Sequence, residues 1–253
     1  MRLPPEVFHH TDHLFKHHMC WHLARSPAGG SIRALIEPHL SAELRPIADL
    51  ETPGCGRQFL VFHREMVRIF KFICIETKYE FVPWGPKLPG WVEELFANSS
   101  EHGPDFLPLA YAEIDERIAT GSDDDLGNFV EATGLSVGVP GRGVHNAVHA
   151  LISHYEATKF GTAAVAGAEM TPFLNSHNNE HFWGLHGWID DLYAQWQVGQ
   201  GETPDLSPLD PTGTSHHHVP SCTGSPAPVP HHEIEAAMKD LRRRLSPRPA
   251  ART

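Results

Sequence analysis

The amino-acid sequence predicts a mainly α-helical fold with a four-helix bundle as its core, long loops and a C-terminal tail rich in proline and glycine. Several long stretches lack glycine and proline and carry apolar residues at helical spacing. Histidines recur four residues apart on two of these stretches, and 40% of the 253 residues are hydrophobic, which is enough to close a core. Residues 198–230 are instead dominated by Pro, Gly, Ser and Thr. We therefore expect a helical domain at 1–197, an extended segment at 198–230, and a last helix and tail at 231–253.

Three helices are predicted in the first third of the chain. Residues 7–25 contain no helix breaker and are followed by SPAGG, a stop signal. A short helix at 31–40 is interrupted by Pro38. The run 57–79, RQFLVFHREMVRIFKFICIETKY, is long, rich in apolar residues and free of breakers, which predicts a buried helix.

The remaining helices follow from the same criteria. Between them, we expect residues 123–143 to be mostly loop and residues 161–173 to form a connector of small residues, because glycine and alanine dominate there. The predicted helices are 91–99, 106–121, 144–158, 179–197 and 231–245.

Charge and composition exclude several functional classes. The formal net charge is −11, and no block of Lys or Arg precedes LRRRL near the C-terminus, which argues against a nucleic-acid partner. No apolar stretch is long enough for a membrane span or a signal peptide, so we expect a soluble cytoplasmic protein, or one exported together with a partner. The four cysteines form no CxxC pair, and we expect mostly reduced thiols, including Cys20.

The twenty histidines contain two sets with metal-ligand spacing. Two imidazoles four apart on a helix share a face, and a third ligand must come from another helix. The first set is His18, His22 and His63; the second is His145, His149 and His186. A site of three imidazoles suits zinc or copper, and a pair of such sites suits two coppers that bind dioxygen between them.

Other histidines leave alternatives open. His9, His13 and His17 are also four apart, so the first pair of ligands could lie one turn earlier. The tracts at 216–218 and 231–232 lie in polar segments and are typical of solvated or weakly metal-binding histidines. We assign surface or supporting roles to His10, His154, His177 and His181.

The second set resembles the second copper-binding half of the type-3 copper proteins, the family of tyrosinases, catechol oxidases and hemocyanins. The resemblance rests on HNAVH at 145–149 and on SHNNEHFWGLHGWIDDLYAQWQ at 176–197. The family's last ligand lies in a frame of Ser, Asp-Pro, Phe, His and Asp; here Asn179 and Glu180 replace Asp-Pro, and the rest of the frame matches. The resemblance implies that His186 is a ligand, that Phe182 packs near it, and that Asp190 accepts its second N–H.

The first set also resembles the family, though less specifically. RQFLVFHREMVRIFKF at 57–72 is similar to the helix that carries the third ligand of the first copper, here His63. The earlier histidine of tyrosinases is absent, because Gly54 stands at its position. HHMCWH at 17–22 is closer to the arthropod hemocyanins and phenoloxidases, and it assigns His18 and His22 as the other two ligands. Some family members link a Cys to a ligand His by a thioether, but Cys20 does not match that motif.

The resemblance implies an oxidase that uses O2, bound as peroxide between two copper ions, to convert phenols, o-diphenols or o-aminophenols to quinone-type products. Asn146 follows a ligand directly and, with Glu131, would orient a water that takes the phenol proton; an ordinary surface role is the alternative for Glu131. A hemocyanin-like oxygen carrier and a copper-storage protein are the competing functions. An open pocket would favour the oxidase. The partners implied are a small phenolic or aromatic substrate and a copper-delivery protein; the substrate, the oligomeric state and any covering of the site by the tail stay open.

Overall fold

The computed structural model describes residues 2–131, 143–171, 175–211 and 229–245. The prediction of a mainly α-helical fold is confirmed: within these ranges there is no strand, and the one extended pairing is an isolated antiparallel bridge between Arg2 and Asn179. The helices are α1 (Pro5–Ala24), α2 (Gly30–Ile36), α3 (Cys55–Thr77), α4 (Gly90–Ala97), α5 (Phe106–Thr120), α6 (Asp123–Glu131), α7 (Val144–Phe160), α8 (Thr162–Val165), α9 (Glu180–Gly199) and α10 (His231–Leu245).

The eight predicted helices are all present, and two further helices replace predicted loop. The short helix α2 ends before Pro38, and one turn of 3-10 helix follows. The prediction of loop was wrong for α6, whose sequence DDDLGNFVE contains a short amphipathic pattern. Leu126, Phe129 and Val130 form its buried face, and the aspartates at its start complement the helix dipole. The other unpredicted helix, α8, is a single turn.

Helix α6 also caps the beginning of α3. The carboxylate of Asp124 accepts hydrogen bonds from the backbone N–H groups of Gly54, Gly56 and Arg57, which have no partner within α3. The two helices touch at two glycines: a Cβ atom on Gly127 would lie 2.0 Å from the carbonyl oxygen of Gly56. Helix α6 thereby fixes the start of the helix that carries His63.

We expect Gly127→Ala to destabilise the protein by about 1–3 kcal/mol, because the added methyl group forces two packed backbones apart. The measurement is the free energy of unfolding in urea. Gly90→Ala is the matched control, since a Cβ atom there meets nothing within 4 Å. Equal stability of the two variants would contradict the close approach of α3 and α6.

The four helices that carry the predicted ligands pack against one another. Helix α1 contacts α3, α3 contacts α9, and α9 contacts α7, an arrangement compatible with a helical bundle. Aromatic rings fill these contacts: Trp21 stacks on Phe62 at 4.1 Å between ring centroids, and Phe70 stacks on Trp183 at 3.8 Å. These rings hold the histidine-bearing faces of the helices in a rigid, apolar setting.

The C-terminal helix α10 packs on the outside of α1. Its residues Ile234, Ala237 and Leu241 are buried, and the Ser26 hydroxyl donates a hydrogen bond to Asp240 at 2.8 Å. Part of the segment predicted to be extended is also attached, because the Leu209 N–H donates to the carbonyl of Arg68. Residues 212–228, including the histidine tract at 216–218, lie outside the described residues. Among the described helices, none combines the length and the apolar composition that a membrane span requires.

Candidate metal centre

The structure brings the six predicted ligands into one buried cluster. Each of the six side chains is at most 4% exposed to solvent. Ligand nitrogens lie within 4.8 Å of one another in two overlapping groups, His18 with His22 and His63, and His63 with His145 and His186. His149 joins the cluster through His145, at 3.2 Å between their Nε2 atoms. Four helices that are distant in sequence therefore supply one continuous set of imidazoles.

The spacing of the nitrogens fits metal ligation. The Nε2 atoms of His18 and His22 are 3.0 Å apart, and the Nε2 atom of His145 lies 3.2 Å from that of His149 and 3.3 Å from that of His186. Two nitrogens bound to one ion at about 2.0–2.1 Å with tetrahedral angles lie roughly 3.3 Å apart. The cluster thus already has the separation that two ligands of one metal adopt.

The second ring nitrogen of three of these histidines is held by a backbone carbonyl. The Nδ1–H groups donate to carbonyl oxygens in all three cases: His63 to Phe59 at 2.7 Å, His186 to Phe182 at 2.6 Å, and His149 to Met170 at 3.0 Å. A carbonyl can only accept, so Nδ1 carries the proton and Nε2 presents a lone pair to the cluster. Lone pairs that face one another repel, and a bound cation removes that repulsion. The donor set therefore fits a metal ion.

Burial keeps the imidazoles neutral, which is the form that binds metal. Loss of solvation lowers the pKa of His18 to about 3 and that of His149 to about 4. The pKa values of the other four are also well below the ordinary value, first because of burial and then because of neighbouring imidazoles. At neutral pH, the cluster therefore offers six uncharged nitrogen donors.

The cluster is compatible with two metal ions held by the two sets of histidines that the sequence predicts. His63 belongs to both groups of close nitrogens, but its Nδ1 is engaged by Phe59, so it has a single nitrogen for one metal. His18, His22 and His63 are close enough to form one site. His145, His149 and His186 would then form the other site; the Nε2 atom of His145 lies close to the Nε2 atoms of the other two. Of the alternative ligands earlier on α1, His9 is exposed and His17 is 3% exposed; the side chain of His13 lies outside the described residues, so a first pair one turn earlier stays a prediction.

Glu131 and Asn146 both lie beside the cluster, in contact with each other. The Asn146 side-chain amide donates to the backbone carbonyl of Glu131. Both carboxylate oxygens of Glu131 accept hydrogen bonds from the guanidinium of Arg25, at 2.9 Å for the Nη2–Oε2 pair. Burial raises the pKa of Glu131, and Arg25 opposes that shift. Glu131 is 1% exposed, so the alternative of an ordinary surface glutamate is wrong.

The aromatic residue predicted near His186 is confirmed, whereas the predicted carboxylate partner is not. The Phe182 ring lies 4.0 Å from the His186 ring between centroids. Asp190 instead pairs with Arg64 at 2.5 Å and with Lys71 at 3.4 Å. It does not serve His186 because the Nδ1–H of that residue is already bound to a carbonyl of its own helix. Asp190 cross-links α9 to α3.

Three features near the cluster were missed or only partly predicted from the sequence. Arg25 is completely buried. Its partners in α3 and α6 are distant from it in sequence, so no local sequence pattern predicts these contacts. Of the surface or supporting role assigned to His177, the supporting alternative fits, because His177 is 4% exposed and close enough to help lower the pKa of His18. Cys20 is disulfide-bonded, so the prediction of a free thiol is wrong there; its partner lies outside the described residues, whereas Cys55 and Cys74 are free.

Neither of two clefts on the described surface includes a histidine of the cluster. The larger, of about 630 Å³, lies between α3 and the end of α9 and is lined by charged residues such as Arg57, Glu65 and Asp123. The smaller, of about 210 Å³, is lined by Arg2, Glu156 and small residues of the 160–168 segment. Comparisons with protein-family models, curated proteins and solved structures give no match. Function is therefore inferred from the chemistry of the histidine cluster.

Proposed function

We propose that this chain is a copper-dependent oxidase that uses O2 to oxidise small phenolic substrates. The observation that carries the proposal is the cluster of six buried, neutral imidazoles, in which two overlapping groups of three have ligand nitrogens within 4.8 Å of one another. Imidazole suits both copper and zinc, but Cu²⁺ binds such nitrogen sites more tightly than the other divalent first-row metals. Two sites with three ligands each leave an open position at each metal for an exogenous molecule.

The proposed reaction balances without another cofactor. An o-diphenol or o-aminophenol loses two electrons and two protons to give a quinone-type product, so two substrate molecules reduce one O2 to two molecules of water. A monophenol could instead take one oxygen atom from O2 and give an o-quinone and one water. The bound coppers would supply the site for O2 and the electron exchange. His18, His22 and His63 would hold one ion, and His145, His149 and His186 the other.

The protein would contribute position and exclusion of water. Backbone carbonyls fix the orientation of His63, His149 and His186, so little reorganisation accompanies metal binding. The Phe182 ring contacts both halves of the cluster, lying 5.3 Å from the His18 ring and 5.8 Å from the His149 ring between centroids. An apolar ring in contact with both sets of ligands would help to exclude water from the bound metals.

A hemocyanin-like oxygen carrier is the second candidate, and burial favours it. The six imidazoles are at most 4% exposed, and neither of the two clefts described above reaches them. Dioxygen needs a much narrower path than a phenol does. A copper-storage role is a third candidate and would require further copper sites outside the cluster.

The test is copper reconstitution, followed by metal counting and an absorption spectrum under O2. We expect two coppers per chain, an oxygen-dependent near-ultraviolet band, and quinone-type product from an o-diphenol, an o-aminophenol or a monophenol added separately. His154→Ala is the control variant, because His154 is an exposed residue of α7 outside the cluster. The band without turnover would support the carrier, and more than two tightly held coppers would support storage. Two bound metals without the band would rule out a coupled pair.

A further inference from the structure

We infer that the Arg25–Glu131 ion pair is a positioning pair that orients His22 and so sets the metal affinity of the His18, His22 and His63 site. The inference rests on the proposed metal-binding function and assigns two residues to the support of one of its two sites. It also gives Glu131 a role different from that of a base for the substrate.

The pair joins three helices at the end of α1. Arg25 follows α1 directly and lies three residues after His22. Its guanidinium carbon lies 4.3 Å from the centroid of the Trp21 ring. The guanidinium donates to both oxygens of Glu131, the last residue of α6, and to the carbonyl of Cys55, the first residue of α3, at 3.0 Å. The end of the helix that presents His22 is thereby fixed to the helix that presents His63.

Glu131 also faces the imidazole of His22. Its Oε1 atom lies 3.9 Å from the His22 Nδ1 atom, while the Nε2 atom of the same ring points at His18. A carboxylate on that side favours the tautomer with the proton on Nδ1, which leaves Nε2 for the metal.

The contact between Glu131 and His22 differs from the contacts that hold three of the other ligands. His63, His149 and His186 each donate Nδ1–H to an uncharged backbone carbonyl, whereas His22 faces a carboxylate. A buried ion pair is costly to desolvate, and replacing one by apolar residues is often neutral or stabilising. Burial alone does not separate this pair from the buried Arg64–Asp190 pair; what distinguishes it is its place beside a ligand, which suggests a role in ligation.

The test is the release of copper from the reconstituted protein by increasing concentrations of a chelator. We expect Glu131→Gln to hold one of its two coppers about 10–100-fold more weakly than the unaltered protein, and the other with unchanged affinity. Asp190→Asn is the matched control, since it breaks a buried ion pair with Arg64 that contacts none of the six ligands. It should lower the thermal midpoint but leave both copper affinities unchanged.

Arg25→Lys is a second variant that tests the same inference if Glu131→Gln does not fold. Lysine keeps the charge but cannot make all three guanidinium contacts, so we expect a selective loss of a few-fold at the same site. The inference is overturned if Glu131→Gln binds both coppers as tightly as the unaltered protein. If Glu131→Gln does not fold, unchanged copper affinities in Arg25→Lys overturn it. Equal weakening of copper binding in Asp190→Asn would also overturn it, by reducing the pair to a structural role. Failure of the unaltered protein to bind metal would instead refute the proposed function.

Discussion

Replacing His63 with alanine is expected to remove one of the two metal ions and to abolish the oxygen-dependent band and all oxidase activity. The Nε2 atom of His63 makes no hydrogen bond to any described residue and lies within 4.8 Å of ligand nitrogens of both sets. It can serve as a ligand of one metal, and without it only His18 and His22 remain there. Loss of a ligand should weaken binding by more than the roughly 10–100-fold that loss of an outer partner costs.

Metal counting on His63→Ala and His149→Ala separates the arrangements that the cluster allows. If the two sets of three are correct, each variant retains one metal. If the second metal were held by His63, His145 and His186 instead, His149→Ala would retain both. Two tightly held metals in His63→Ala would contradict a ligand role for this residue. His154→Ala should behave like the unaltered protein in every assay.

The histidine-bearing helices could be predicted because their signal is local. In α1 and α7, ligands four residues apart share a face, and in α3 and α9 the long runs without breakers define the helix around a single histidine. The third ligand of each set was found from aromatic framing and from the resemblance. The structure then brings together all six residues named from the sequence.

The residues that support the ligands could not be predicted, because their partners are distant in sequence. Arg25 and Glu131 are 106 positions apart, and Arg64 and Asp190 are 126 apart. Asp190 also shows the limit of a motif: its place one turn after His186 suggested a contact with that ligand, but two cations on α3 bind it instead. Helix α6 was missed because three aspartates and a glycine are typical of loops, and only its burial against α3 explains why it is helical.

Acid should unfold the metal-free protein over a narrow range of pH, beginning near pH 6.5. The pKa values of the six cluster histidines are lowered in the folded protein, mainly by burial, whereas in the unfolded chain each lies near 6.5. Below that value the unfolded chain binds more protons than the folded protein. The stability contributed by the neutral histidines is therefore complete above pH 6.5 and is lost as the pH falls toward the folded values of about 3 for His18 and about 4 for His149.

The expected effect of acid is as large as the stability of a typical domain. At pH 5.5 each histidine kept neutral lowers the free energy of unfolding by up to about 1.4 kcal/mol, and six together lower it by up to about 8 kcal/mol. The free energy of unfolding of a typical domain is about 5–15 kcal/mol. The measurement is the free energy of unfolding of the metal-free protein between pH 7.5 and pH 5. The copper-loaded protein is the control: its unfolding should begin at lower pH, because protons must displace the metal before the imidazoles can be protonated. A metal-free protein as stable at pH 5.5 as at pH 7.5 would mean that these imidazoles are solvated, and a buried cluster would then be the wrong description of the site.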